Sequence, residues 1–541
     1  MRAPADLVVT GTDVYTVDPA RSWTDAVAVR DARIVALGSP AVHKLVGPDT
    51  RVVEARGGLV LPGFQDAHLH PPVAGRNLLH VALDGLDGPV AYLGEIARYA
   101  AAHPEQEWIV GGGWAMEHFP GGTPRKEDLD AIVPDRPVFL FNRDVHGAWV
   151  NSVALVRAGI TAQTPDPTDG RIERDPTTGE PTGTLHEGAA YSVNDRHVPQ
   201  PDRAEWEAAI LAAQAHLHSL GITGWQDAWV TPATLEAYRS LAEAHRLTAR
   251  VVGALWWDRH RGLEQVPDFL DQRARGTVGN LHPTTVKIMV DGVLENQTGA
   301  LLEPYCGCAG PAASRGLTYV EPELLAEAVV ELDRLGFSVH MHAIGDRAVR
   351  HALDAVAAAR RVNGTADRRH HIAHLQLVAP EDLPRFRELG VVANCQTYWA
   401  QHEPQMDELT VPFIGAERAR HQYPFAALWH QGATLAMGSD WPVTTANPLE
   451  QIEVAVTRVD PEHRGNPPFL PEQALALPVA LAAFTAGSAY VNHDADAGTL
   501  RVGARADLAV LEHNPFARSA PPIGDTRVIA TVAAGRVVHE A

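Results

Sequence analysis

Between residues 58 and 442 of this 541-residue chain, eight short apolar segments alternate with helical stretches. They are GLVLPGFQDAHLH (58–70), GITGWQDAW (221–229), ARVVGALWW (249–257), TVKIMVDG (285–292), FSVHMHAIG (337–345), HHIAHLQLV (370–378), VVANCQT (391–397) and ATLAMGSDWP (433–442). Between them lie stretches such as PELLAEAVVELDRLG and RAVRHALDAVAAARRV, with apolar residues three and four apart, the spacing of a helix face. Strands that alternate with helices build a parallel sheet joined by crossover helices. Eight such units predict an α/β fold closed into a (β/α)8 TIM-type barrel, spanning residues 59–495.

Both ends of the chain have a different texture. DLVVTGTDVYTVD, AVAVRDARIVALG and TRVVEARGGLVLPG near the start, and ADLAVLEHNP and RVIATVAAGRVVHEA near the finish, are β-branched runs punctuated by Gly, Asp and Pro. Residues 1–58 and 496–541 are therefore expected to combine into one small β-sandwich. The interval between the first two barrel segments is far longer than a crossover helix requires. It predicts an insertion over 75–219, including the hairpin-like DGRIERDPTTGEPTGTLHEGA (169–189). A loop that follows a barrel strand lies over the C-terminal mouth, so the insertion is expected to act as a lid.

A formal charge of -21, from 45 basic and 66 acidic side chains, argues against nucleic acid and against an anionic membrane surface as partners. No apolar run approaches the ~18 to 20 residues of a membrane span, and MRAPADLVVTGTDVYTVD lacks the apolar core of a signal peptide. The expected location is cytoplasmic. Three cysteines, Cys306, Cys308 and Cys395, cannot form a disulfide framework; YCGCAG reads as a loop rather than a thiolate metal site.

The chain contains three His-x-His triplets. His216 and His218 fall on a helical pattern, where residues two apart diverge, and read as structural. His68 and His70 fall on a strand, where residues two apart share a face, so both imidazoles would enter the barrel near the strand's C-terminal end and could share a metal. His340 and His342 have the same geometry, with His342 nearer the rim. Lys287, His374 and Asp440 stand at equivalent positions of other strands. Any one of them has an ordinary reading as a core, snorkelling or capping residue. Together they are expensive inside a barrel unless paired or metal-bound.

These motifs, PGFQDAHLH, VKIMVDG, HAIGDRA, IAHLQ and GSDWP, with the closing segment GTLRVGARADLAVLEHNP, occur in one order over nearly the whole chain. In this respect the sequence resembles the amidohydrolase superfamily of metal-dependent hydrolases, in particular the amidohydrolase 3 branch that contains N-substituted formamide deformylase. The resemblance implies His68, His70, His342, His374 and Asp440 as metal ligands, with Lys287 at the position that is often a carbamylated, metal-bridging lysine. It implies one or two Zn²⁺ ions that polarise a carbonyl and acidify water. Asp440 would be the general base and then the acid towards the leaving amine, and His374 or another donor would serve the oxyanion.

RDVHGAWVNS resembles a segment of the same branch, making His146, Trp149 and Asn151 candidate substrate contacts, with Trp114 and Trp399 as further aromatic candidates. For each Trp, ordinary burial is the competing reading. The sequence departs from the branch at HHIAHLQ, where relatives usually read Arg-Ile-Glu-His-Ala-Gln, so Ala373 replaces an acid and His371 a different group. Ala115 stands where relatives commonly carry Asp. The implied reaction is hydrolysis of a non-peptide amide C–N bond in a small N-substituted formamide or other N-acyl amine, by an enzyme whose relatives commonly form homodimers. A deaminase or cyclic-amide hydrolase with the same ligands is the alternative, and a non-catalytic regulatory barrel a further one.

Overall fold

A computed structural model describes residues 3–306 and 314–541; Cys308 lies outside them. At its centre stand eight strands: β1 (Phe64–Leu69), β2 (Ile222–Val230), β3 (Arg250–Trp256), β4 (Leu281–Met289), β5 (Ser338–Ala343), β6 (His371–His374), β7 (Val392–Cys395) and β8 (Leu435–Met437). They lie in chain order, each hydrogen-bonded in parallel to the next. Every expected barrel segment contributes one of them. The helices Pro322–Arg334 and Asp346–Asn363 cover β5 with apolar faces such as Leu325, Val329 and Leu332, and Val349, Leu353 and Val356. Residues recurring three and four apart keep those faces turned to the sheet.

The seam between β8 and β1 carries no regular ladder among the described residues and is closed by specific contacts. The Asp440 amide donates to the His68 carbonyl (2.7 Å), the His70 amide to the Trp441 carbonyl (2.8 Å), and Asn394 Nδ2 to the Ala67 carbonyl (2.9 Å). Gly438 permits this approach, because a Cβ there would lie 2.5 Å from the His68 nitrogen. The amides of His68 and Ser439 both donate to buried Asp66, tying the seam a second time.

Residues from the two ends form two sheets. One has four strands, in the order Arg33–Leu37, Val27–Arg30, Leu7–Thr10 and Arg51–Glu54. The other has six, in the order Arg536–Glu540, Val528–Ala533, Leu508–Leu511, Leu59–Pro62, Asp13–Tyr15 and Trp23–Thr24. Val9, Val27, Ile34, Val60, Leu508 and Val532 from both sheets share one hydrophobic cluster. The run 58–70, expected as a single barrel strand, is divided at Gly63. Leu59–Pro62 pairs within the terminal sheet, and the barrel begins at Phe64.

The interval between β1 and β2 holds its own six-stranded sheet, in the order Gly170–Arg174, Pro181–Glu187, Gly147–Val150, Val138–Asn142, Ile109–Trp114 and Val81–Ala82, with separate hydrophobic clusters. The expected hairpin at 169–189 is present as the antiparallel pair at one edge. The interval is more than a lid. Its last helix, Arg203–Ser219, leads straight into β2 and is the first crossover of the barrel, started by a capping box in which Asp202 and Glu205 each accept the other's amide. Among the described residues no helix is long and apolar enough to cross a membrane.

The seam is testable. Gly438→Ala should cost about 2 kcal/mol through overpacking, lowering the thermal midpoint and weakening metal retention together, whereas Gly465→Ala, at a position with open space around it, should change neither.

Candidate metal centre

His68 occupies the penultimate position of β1 and points into the barrel. His70, expected on the strand, lies just past it and begins the helix Pro71–Asn77. The turn after β8 brings Asp440 against both. Its Oδ1 lies 3.1 Å from His68 Nε2 and 3.1 Å from His70 Nε2, and the three ligand atoms lie within 4.8 Å of one another. His374 closes the group, with Nδ1 3.8 Å from Asp440 Oδ2 and its ring 4.7 Å from that of His68 and 4.5 Å from that of His342. Both Asp440 (φ 61°) and His374 (φ 77°) take left-handed backbone conformations that a non-glycine residue adopts at a cost, as residues at functional sites often do.

His340, one layer below His342, orients the cluster from behind. Its Nδ1 lies 2.8 Å from Gln226 Oε1, its Nε2 2.8 Å from His68 Nδ1, and Gln226 Nε2 donates to Asn492 (3.0 Å). In the assigned orientation of the Gln226 amide, His340 carries its proton on Nδ1, and its Nε2 accepts from His68 Nδ1. His68 Nε2 is then a bare lone pair facing a carboxylate oxygen. Such a pair repels unless a cation lies between, and 3.1 Å is close to the spacing of neighbouring donors that each sit ~2.1 Å from one ion. Nδ1 of His342, also buried, makes no hydrogen bond and lies 3.3 Å from Asp291 Oδ1. The donor set therefore fits a divalent metal.

Burial is the largest influence on His68, His340, His342, His374, Lys287, Asp66 and Asp440. It drives the imidazoles of His68, His342, His374 and His340 well below the usual histidine range, assisted by one another and by Lys287, so all four stand neutral and the first three are able to ligate. Burial brings Lys287 down to about 7, against the pull of Asp440. It pushes Asp66 up to about 7. For Asp440 the burial penalty is outweighed by the hydrogen bond from His70 and the nearby His374, His70 and Lys287, and its carboxyl is held below the ordinary range.

Together His68, His70, Lys287, His342, His374 and Asp440 line a cavity of about 330 Å³ at the C-terminal end of the barrel. The insertion supplies its opposite wall. His146 lies at the turn before Gly147–Val150, its Nδ1 2.9 Å from Glu187 Oε1 and its ring 5.4 Å from that of His342. Burial opposes the charge on His146, but Glu187 prevails and raises it to about 9. Burial likewise opposes ionisation of Glu187, and His146 lowers it to about 2. A charged pair thus faces a set of neutral imidazoles.

Other candidate contacts fall elsewhere. Trp114 and Trp149 pack inside the insertion, their indole N–H groups spent on the carbonyls of Leu140 and Arg125. Asn151 is a buried cap that accepts from Ala154 and Val138. None of the three lines the cavity, because a strand pointing into its own core cannot also serve a neighbouring mouth. Trp399 lines a small adjoining cavity of about 40 Å³ with His146 and His374. His218 is satisfied by Ile222 and Thr248, and His216 packs on Trp441 outside the cavity. Glu187, Trp229, Trp256, Tyr191 and Arg259 were not identified from the sequence. Only Glu187 had a signal, as the acid ending the TGTLHE strand.

An eight-stranded parallel barrel with imidazoles, a lysine and a carboxylate at its C-terminal strand ends is a protein of the TIM-barrel class with a candidate metal centre. The chain belongs to the Amidohydrolase family, whose profile matches residues 51–539, and it is a hydrolytic enzyme acting on carbon–nitrogen bonds. It is 30% identical to Protein LONG AFTER FAR-RED 3 of Arabidopsis thaliana, covering 99% of this chain and 92% of that protein. It is 27% identical to N-substituted formamide deformylase of Arthrobacter pascens, covering 99% and 98%. Among solved structures, an uncharacterized metal-dependent hydrolase from Pyrococcus horikoshii OT3 superposes with a TM-score of 0.74 at 25% identity, over 96% of this chain and 99% of that one.

His68→Ala or His70→Ala should strip the metal from protein purified without chelators, and His216→Ala should leave it in place. His340→Ala should weaken metal affinity about 10- to 100-fold; elemental analysis across a chelator series reads all four.

The His146–Glu187 pair gives a pH signature. The raised pKa of His146 makes its contribution complete below about pH 6.5, and that contribution is lost as pH rises through about 9. The depressed pKa of Glu187 makes its share present above about pH 4.5 and lost as pH falls through about 2. The gap in thermal midpoint between wild type and His146→Gln should be widest from about pH 4.5 to 6.5 and should narrow towards pH 9. A gap that stays constant across that range would contradict the pairing.

Proposed function

We propose that this protein is a metal-dependent hydrolase of a non-peptide amide, with an N-substituted formamide or another small N-acyl amine as substrate. The observation that carries the reading is the unprotonated His68 Nε2 3.1 Å from Asp440 Oδ1 at the foot of a cavity of small-molecule size. His68, His70 and Asp440 would hold a divalent ion, Zn²⁺ in this proposal, with His342, His374 and Lys287 available for a second; it would polarise the carbonyl and lower the pKa of water.

The chain's own groups do the rest. Asp440 is ionised, and its carboxylate takes the proton of the attacking water. It then delivers that proton to the departing nitrogen, a transfer that amide hydrolysis needs because an amide anion leaves poorly. As donors to the oxyanion, His374 is neutral, whereas His146 is protonated and faces the cavity from the insertion, so His146 is the stronger donor to the carbonyl oxygen. Glu187 keeps His146 charged and oriented. Lys287, buried at the cavity floor, is proposed to carry a carbamate: its amine adds CO₂ and releases a proton, giving a carboxylate. The small-molecule amide as partner, a homodimeric assembly and a cytoplasmic location complete the proposal.

A panel of N-formyl and N-acyl amines, assayed with metal-reconstituted protein, tests the reaction. Formate or carboxylate release is the expected outcome, and ammonia release from the same panel would move the protein to the deaminases. Lys287→Ala should lose activity and regain part of it with added short carboxylic acids, and intact-mass measurement under bicarbonate should find one CO₂ on wild type only. Undiminished activity in Lys287→Ala would overturn the carbamate.

A further inference from the structure

Arg259, in the loop that follows β3, lines the same cavity as the metal-ligand cluster and takes no part in the steps assigned to Asp440 and His146. Its side chain is only 10% exposed, yet among the described residues none of its N–H groups makes a hydrogen bond, and Nη1 is buried without a partner. A guanidinium carries five N–H donors and keeps its charge. Burying it unsatisfied costs free energy that an acceptor on a ligand would recover.

The surroundings hold the guanidinium in place without satisfying it. Its carbon lies 4.1 Å from the centroid of the Tyr319 ring and 5.6 Å from that of Tyr191, and such stacking fixes the orientation of the fork. Among the described residues its one ion-pair contact is with Asp169. That Oδ2 lies 3.3 Å from Arg259 Nε and 3.3 Å from His260 Nε2, and it makes no hydrogen bond. The other carboxylates of the cavity are engaged elsewhere: Asp144 and Asp258 accept the amides of His146 and His260, Asp195 accepts from Asn194, and Asp440 belongs to the ligand cluster.

An aromatic wall joins Arg259 to that cluster within the one cavity. The Tyr191 ring beside the guanidinium lies 6.3 Å from the ring of Trp229, which lies 6.3 Å from that of His70 and 5.2 Å from that of Trp256. A substrate can lay a short apolar linker along these rings, with its amide at the cluster and its far end at Arg259.

We propose that Arg259 is a specificity-determining residue that binds a carboxylate carried on the amine half of the amide, so that the preferred substrates are N-acylated amino acids whose carboxylate stands several bonds from the nitrogen. This rests on the amide-hydrolase reading above and narrows it. The two oxygens of a planar carboxylate match the guanidinium fork, and its charge makes each hydrogen bond roughly twice as strong as a neutral one. A small acyl group such as formyl has no carbon on which to carry the carboxylate, which places it on the nitrogen substituent. Water adds across the C–N bond, and the products are the small carboxylic acid and a free amino acid.

The test compares, on the metal-loaded enzyme, the N-formyl derivatives of glycine, 4-aminobutyrate and 6-aminohexanoate with their primary carboxamides, which keep the shape and lose the charge. In wild type, kcat/KM for the acid should exceed that for its carboxamide about tenfold or more at the two longer lengths, mainly through KM, as a hydrogen bond to a charged group implies. Arg259→Gln should bring that ratio close to one, and Arg259→Lys, which keeps the charge and loses the fork, should leave it between. If Arg259 only supports Glu187, acid and carboxamide fall together and the ratio stays, which overturns the proposal. A wild-type ratio near one at every length overturns it as well, and needs no variant to fold. Calorimetric binding of hexanoate and hexanamide reads the site without turnover. Wild type should favour hexanoate and Arg259→Gln should lose that preference, even if no formyl derivative is hydrolysed and the amide reading falls by itself. Equal hexanoate affinity in the two proteins would place the acid on the metal and overturn the assignment to Arg259.

Discussion

A bare imidazole nitrogen and a carboxylate oxygen meet 3.1 Å apart at the seam where the barrel closes. Much else in the structure serves to keep that unfavourable approach in place. The first and last strands are drawn together through Gly438 and the Asp440–His68 backbone hydrogen bond. Asp66 accepts amides from both sides of the seam, and His340, Gln226 and Asn492 form a rigid backing that fixes which ring nitrogen looks outward. Close-packed β-sheet can hold two acceptors face to face because no single side chain is free to turn away.

The charges are divided between two parts of the chain. The barrel contributes donors that burial keeps neutral, together with an ionised Asp440, whereas the insertion contributes the cationic His146 clasped by Glu187. A cation among the ligands would compete with a metal for the same lone pairs. Placing His146 across the cavity, with its own carboxylate, leaves the barrel imidazoles unprotonated and still puts a positive charge on the cavity wall.

The barrel was legible in the sequence because its strands are short, apolar and separated by helices, and the ionisable cluster at its mouth because such residues recur at the ends of those strands. What escaped was set by contacts distant in the chain. Local sequence places His342 nearer the rim than His340, but the role of His340 is set by a neighbour, Gln226, more than a hundred residues away. Trp114, Trp149 and Asn151 were attractive by type, but the insertion builds a sheet with its own core and spends them there. The break at Gly63 was hidden because Leu59–Pro62 and Phe64–Leu69 are equally apolar, and only their partners assign them to different sheets.

That break has a consequence for how the molecule is made. Leu59–Pro62 runs directly into the strand that bears His68, and its neighbour on one side is Leu508–Leu511, which in turn pairs with Val528–Ala533. During vectorial synthesis Leu59–Pro62 can pair at once with Asp13–Tyr15, but its other edge stays open until Leu508–Leu511 emerges, more than four hundred residues later. A strand distant in the sequence closes the sheet that leads into the strand bearing His68. An open apolar edge of this kind is a point at which a nascent chain can associate wrongly, and its lifetime is set by the distance in sequence between the paired strands.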